Sequence, residues 1–240
     1  MLIGASMLGD GASGYPANVT DRSQHPDSRA DSATIESMTI PGRVAAAALL
    51  ASLDPPAWFL AHVRAVAEVA GFLAARVAAN GTAVDRSLVE AAALLHDVDK
   101  ILPADDPVRR LGHGHGSAAW LTKQGHPELA RSVAAHPLTR LADGDAYRRW
   151  AAFASREERI VAYADKRAGQ RLESMAARFT SWRRRYPDGW DELTWRAVRS
   201  RAERLESEVC RAAGITPAEV RRLPWTAAAI RAARADSTAR

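Results

Sequence analysis

Residues 91–100 read AAALLHDVDK: five small or apolar residues run straight into His96 and Asp97, with Asp99 and Lys100 close behind. A carboxylate is rarely buried without a partner, so a His-Asp pair at the end of an apolar stretch calls for one. Asp165, in IVAYADKRAG, likewise interrupts the apolar side of a helical segment. His62, His113, His115 and His136 stand at predicted helix edges or in a Gly-rich loop. One divalent cation would satisfy these groups together. It supplies the positive charge that makes burial of Asp97 and Asp165 tolerable, and neutral imidazoles complete its shell. The candidate ligands are His62, His96, Asp97, His115, His136 and Asp165. Of the remaining histidines, His25 lies in a polar N-terminal stretch and His126 heads a helix beside Pro127.

The candidates fall on different elements of a chain that reads as all-α. PGRVAAAALLASL predicts a short helix begun by Pro41. DPP at 54–56 stops it and starts another, from about 56 to 79. There Leu60, Val63, Val66, Ala67, Ala70 and Leu73 or Ala74 recur at three- and four-residue steps, and His62 lies beside that face. NGT at 80–82 ends it. Asp85 is placed to cap the next helix, whose apolar side is Leu88, Ala91, Ala92, Leu95 and His96. A loop, LPADDPVRRLGHGHG, leads into helix SAAWLTKQ, and PELARSVAAH ends at His136. A long helix is predicted over about 156–185, with Ile160, Val161, Ala164, Ala168, Leu172, Met175 and Phe179 as its stripe. Another covers about 191–213, and TPAE at 216–219 resembles a capping box.

The 240 residues are 47% hydrophobic, enough for one core with appendages. Abundant alanine, leucine, arginine and glutamate favour helix. The formal charge is +5, and the only lysines are Lys100, Lys123 and Lys166. The surplus of arginine reads first as a solvated surface and second as a basic face for phosphate-bearing ligands. Cys210 is the sole cysteine, so no intrachain disulfide forms. No run of about 18 uninterrupted apolar residues appears, so no membrane span or membrane partner is expected. The N-terminus lacks the positive region of a signal peptide, and a cytoplasmic location is the default expectation. Residues 1–38, poor in apolar residues and charged −3 from Arg22 and Arg29 against Asp10, Asp21, Asp27, Asp31 and Glu36, are expected to be disordered. Residues 39–185 then form a helical metal-binding domain and 186–240 a helical extension. Trp182 and Trp190 beside RRRY read as packing aromatics next to a solvated charge run, and a nucleic-acid partner is not expected.

The segments FLAHVRAVAEVA, AAALLHDVDK and IVAYADKRA, in this order within residues 55–170, resemble the HD-domain superfamily of metal-dependent phosphohydrolases, a family of helical bundles. The resemblance implies that His62, His96, Asp97 and Asp165 match the family's four metal ligands. HGSAAWL and HP resemble the two further histidines of subgroups that hold a second ion. The nearest such subgroup is the bacterial one that hydrolyses symmetrical dinucleoside tetraphosphates. The loop carries both His113 and His115. We assign His115, because a run of small residues follows it directly and opens a helix; His113 is then a neighbour able to contact a phosphate. The implied activity is hydrolysis of a phosphoester or phosphoanhydride of a nucleotide or dinucleoside polyphosphate, the partner being a phosphorylated small molecule. The implied cofactor is one or two divalent ions among iron, manganese, cobalt, nickel and zinc, since imidazole-rich shells disfavour magnesium. Asp97 is the natural bridging ligand and catalytic centre. Lys100, three residues on, is expected to hold a substrate phosphate. Arg64, Arg140, Lys166 and Arg167 are further phosphate candidates for which a surface role weighs more. The alternative is a catalytically weak nucleotide- or metal-binding regulatory module.

Overall fold

The computed structural model describes residues 40–238, so the disorder expected over 1–38 lies outside them. Among the described residues the chain is all-α, with eleven helices and no strand. In order they are α1 (Arg43–Ala51), α2 (Ala57–Ala79), α3 (Arg86–Leu95), α4 (His115–Lys123), α5 (Ala130–Ala134), α6 (Thr139–Ala142), α7 (Gly144–Phe153), α8 (Arg156–Arg167), α9 (Met175–Arg185), α10 (Glu192–Ala213) and α11 (Thr226–Thr238). One-turn 3-10 segments cover Val98–Lys100, Pro127–Leu129 and Pro217–Glu219.

The central helix is α2, which packs on α3, α8 and α10. Its sequence is Ala-, Val- and Leu-rich, starts after Pro55-Pro56 and stops at Asn80-Gly81, where Gly81 takes φ 75°. Phe59, Val63, Val66, Leu73 and Ala74 of its inner face are buried; each large side chain so buried contributes roughly 1.5–3 kcal/mol. Its best window has a mean hydropathy of 1.3, long and apolar enough to cross a membrane by length and composition, yet 61% of that window is buried inside the fold. Gly71 costs about 1 kcal/mol against alanine in a helix, and the reason for it is a close approach. A Cβ there would lie 3.1 Å from the Trp225 Nε1 and 3.3 Å from the Glu90 Oε1.

The helices after residue 186 complete the same hydrophobic core. Trp195, Val198, Leu205 and Val209 of α10 and Ile230 of α11 are buried in it, and α11 lies along α1. Buried glutamates on the inner helices tie these elements together. Glu90 takes two bonds from Arg43, both 2.7 Å. Glu68 accepts from the Thr226 hydroxyl and pairs with Arg222 at 2.6 Å. Trp190 and Trp195 stack edge to face at 4.9 Å, and Trp182 packs on Phe179, the packing role expected of the tryptophans in this region.

One predicted element is broken. The helix expected over 156–185 is two helices, α8 and α9, separated by 168–174. Ala168 is extended and bridges to Leu172, while Ser174 caps α9 by accepting from the Ala177 amide. The apolar stripe continues through Ala168 and Leu172, so periodicity alone reads across the gap. TPAE also forms its capping box, but on a single 3-10 turn; the last helix starts nine residues later, at Thr226.

Candidate metal centre

Each ligand candidate is delivered by a helix end or a turn. His62 lies on the second turn of α2, His96 is the residue capping the C-terminus of α3, and Asp97 follows it into the 3-10 turn. His136 follows α5, and Asp165 is in the last turn of α8. His96, Asp97 and His136 are at most 1% exposed, while the side chains of His62 and Asp165 are each 14% exposed. The His62 and His96 rings lie 5.2 Å apart between centroids, and those of His96 and His136 4.7 Å. The structure thus brings five of the six candidates together.

The sixth, His115, is corrected. It is the first residue of α4 and is exposed. His113 enters the cluster instead, its Nε2 3.3 Å from Asp97 Oδ1 and 3.1 Å from His136 Nε2. The reason is the glycine between them. Gly114 takes φ 81°, and a Cβ on it would lie 2.7 Å from Pro137 Cγ. That reversal turns His113 inward against the loop that carries His136 and leaves His115 on the outside of the new helix. We therefore expect His113→Ala to weaken manganese binding at least about tenfold and His115→Ala to change it by less than about twofold, as read by titration of the purified protein. Equal effects would reverse the assignment.

The ring nitrogens are sorted by their partners. His62 Nδ1 donates to the Gly169 carbonyl at 2.8 Å, His96 Nδ1 to that of Ala93 at 2.8 Å, and His136 Nδ1 to that of Val133 at 2.6 Å. A carbonyl oxygen only accepts, so each Nδ1 carries the proton and each Nε2 presents a lone pair inward. The Gly169 carbonyl is free to do this because α8 ends at Arg167: the break in the predicted long helix supplies a part of the site. His62 Nε2 lies 3.2 Å from Asp97 Oδ2 and 3.6 Å from Asp165 Oδ1, and His96 Nε2 lies 3.5 Å from Asp97 Oδ1 and 3.7 Å from Asp165 Oδ1. His136 Nε2 is 3.2 Å from Asp97 Oδ1.

This donor set fits a divalent cation. His96 Nε2 and Asp97 Oδ1 are buried with no hydrogen-bond partner, a costly state for polar atoms. The His113 and His136 Nε2 atoms face one another at 3.1 Å. A proton could serve one such pair, but not four inward-facing nitrogens. Three overlapping groups have ligand atoms close enough for one ion each: His62, His96 and Asp165; His96, Asp97 and His136; and Asp97, Asp99 and His113. The two oxygens of Asp97 face different histidines, Oδ2 towards His62 and Oδ1 towards His96, His113 and His136.

Electrostatics keep Asp97, Asp165 and His136 in their ligating forms. Burial would raise Asp97, but His96, Lys100, His113 and His136 outweigh it and hold its carboxyl well below the usual range. Burial also opposes ionisation of Asp165, and Lys166, His96 and His136 overcome it. Desolvation pushes the His136 pKa down to about 4, so this imidazole is neutral at physiological pH. For His96 desolvation acts downward too, but the Asp97 and Asp165 carboxylates prevail and raise it. That proton must leave when a cation binds.

Two lysines serve the cluster. Lys100 Nζ lies 2.6 Å from Asp97 Oδ2, with a side chain 36% exposed. Lys166, 1% exposed, donates to the His136 carbonyl at 2.5 Å and lies 3.4 Å from Asp165 Oδ2. The other phosphate candidates take structural roles. Arg64 reaches Thr226 at 3.4 Å, Arg140 donates to the Ala134 carbonyl at 3.1 Å, and Arg167 binds Tyr163, Glu206 and the Pro217 carbonyl. Asp99, which sequence reasoning passed over, backs His113.

Residues 59–169, a little under half of the chain, match the family model described as HD domain. The match spans the candidate cluster from His62 to Asp165 and supports the HD-domain superfamily, a class of metal-dependent phosphohydrolases, for this segment. No curated protein and no solved structure matches the chain.

Proposed function

We propose that this protein is a metal-dependent phosphohydrolase that cleaves a phosphoester or phosphoanhydride of a nucleotide or dinucleoside polyphosphate. The observation that carries the reading is the pair of buried, partnerless ligand atoms, His96 Nε2 and Asp97 Oδ1, among imidazoles whose Nε2 atoms all face inward. One or two divalent ions held by His62, His96, Asp97, His113, His136 and Asp165 would polarise a phosphoryl oxygen and supply water acidic enough to ionise near neutral pH.

The chain's own residues do the rest. The helix ends around His96, Asp97 and His136 exclude solvent from the inner side of the cluster. Lys100 spans from Asp97 to solvent, so its ammonium can meet a phosphate arriving from the open side and balance charge as the bond breaks. Lys166 faces inward and holds the loop of His136 against Asp165.

Elemental analysis of the purified protein, followed by phosphate-release assays on a panel of nucleotides and dinucleoside polyphosphates with manganese, iron or cobalt, tests the reading. One or two ions per chain and release from at least one substrate are expected. No bound ion under any loading condition defeats it. Ions without turnover on any substrate would instead assign a binding module.

A further inference from the structure

Four imidazoles face the centre, but their outer nitrogens are not held alike. His62, His96 and His136 are each backed by a backbone carbonyl. His113 is backed by a carboxylate: its Nδ1 lies 3.2 Å from Asp99 Oδ1 and 3.1 Å from Asp99 Oδ2. Asp99 is itself fixed. Its Oδ2 accepts from the Gly114 amide at 2.7 Å, its own amide donates to the Ser117 hydroxyl at 3.0 Å, and its side chain is 6% exposed. Gly116 closes the fit, since a Cβ there would lie 3.0 Å from Asp99 Cβ. One carboxylate therefore sets both the backbone reversal at Gly114 and the ring it presents.

Asp99 stands close enough to Asp97 and His113 to be taken for a third ligand, but its position on the ring argues otherwise. The inward-facing atom of His113 is Nε2, and Asp99 bonds the opposite nitrogen. We propose that Asp99 is the positioning residue of His113: it fixes the Nδ1–H tautomer and the ring plane that aim Nε2 at Asp97 and His136. An ion at the position built on Asp97, His113 and His136 then depends on a carboxylate that does not itself touch it. This rests on the metal-centre reading above. A charged acceptor behind an imidazole also makes its inner nitrogen a better donor than a carbonyl does, so the two ion positions are unequal.

Asp99→Asn is the informative change because it is isosteric. The amide oxygen can keep the Gly114 N–H, which turns the amide NH2 towards His113. Nδ1 must then accept, and the proton moves to Nε2, where it points at the ion position; an Asp-to-Asn change behind a catalytic histidine produces this wrong-tautomer defect in the serine proteases. The experiment uses the full chain as wild type, Asp99→Asn, His113→Ala and the double variant. Manganese alone is titrated into each, and the histidine tautomers of the metal-free proteins are read by nitrogen-15 NMR.

Two classes of manganese site are expected in the wild type. Asp99→Asn should weaken one of them by about 10–100-fold and leave the other within about twofold, with circular dichroism unchanged. His113→Ala should cost that same class at least as much, and the double variant no more than His113→Ala alone. His113 should be Nδ1–H in the wild type and shift towards Nε2–H in Asp99→Asn. Additive losses in the double variant would make Asp99 a ligand in its own right and overturn the proposal. Unchanged affinities in Asp99→Asn, a single manganese site in the wild type, or an Nε2–H tautomer in the wild type would overturn it as well. A wild type that binds no manganese defeats the metal-centre reading instead, and the tautomer shift then decides by itself whether Asp99 orients His113.

Discussion

Replacing Asp97 by asparagine empties the centre. The side chain keeps its volume, but an NH2 group now faces imidazole lone pairs or a cation, and the carboxylate that approaches His62, His96, His113 and His136 no longer carries charge. Metal content should fall to near zero per chain. Phosphate release should drop by about a thousandfold, since the polarisation lost is worth several kcal/mol and about 4 kcal/mol corresponds to that factor. Helicity should persist, because the core around α2 and α3 does not depend on the carboxylate. Elemental analysis, single-substrate kinetics and circular dichroism together decide the matter; a variant with wild-type ion content would remove Asp97 from the ligand set.

Lys166→Met is expected to have the largest effect on stability. The ammonium is almost wholly buried and does two things: it donates to the His136 carbonyl, and it neighbours the Asp165 carboxylate. Burial pushes its pKa down, with Asp165 opposing. Methionine fills the space but leaves a buried carbonyl without its donor and a partly buried carboxylate without its nearest cation. Breaking one side of a buried ion pair costs about 3–5 kcal/mol, and urea unfolding of the metal-free protein should show a loss of that order. Manganese affinity should fall by about 10–100-fold as the His136 loop loosens. An unfolding midpoint and an affinity both equal to wild type would show that Lys166 holds nothing in place.

His62, His96, Asp97 and Asp165 were legible as candidates in the sequence because His96 and Asp165 are polar where the periodicity calls for an apolar residue, Asp97 follows His96 directly, and His62 lies beside an apolar face. His136 was legible from its place at a helix end before Pro137. His113 was not, because small residues opening a helix identify where α4 starts but not which side of its first turn faces the core. That depends on the reversal at Gly114 and on Pro137, 23 residues away. Asp99 was hidden for a related reason. In HDVDK nothing local distinguishes a carboxylate that faces inward from one that faces the next loop; the 3-10 turn at Val98–Lys100 decides it. The break between α8 and α9 left only faint signs, Gly169 and the capping Ser174, against a stripe that continues through them. Lys166 and Arg167 looked like surface charges because their partners, the carbonyls of His136 and Pro217, lie 30 and 50 positions away.

The pairing of α11 with α1, and of Thr226 with Glu68, sets an order of events on the ribosome. Glu68 waits for a hydroxyl 158 positions downstream. At 5–20 residues per second the nascent chain spends about 8–30 s with that carboxylate unanswered and the faces of α1 and Gly71 uncovered. All the residues of the metal cluster have emerged well before then. The last helix to be made is thus the one that covers the face of α1, after every residue of the candidate cluster has been synthesised.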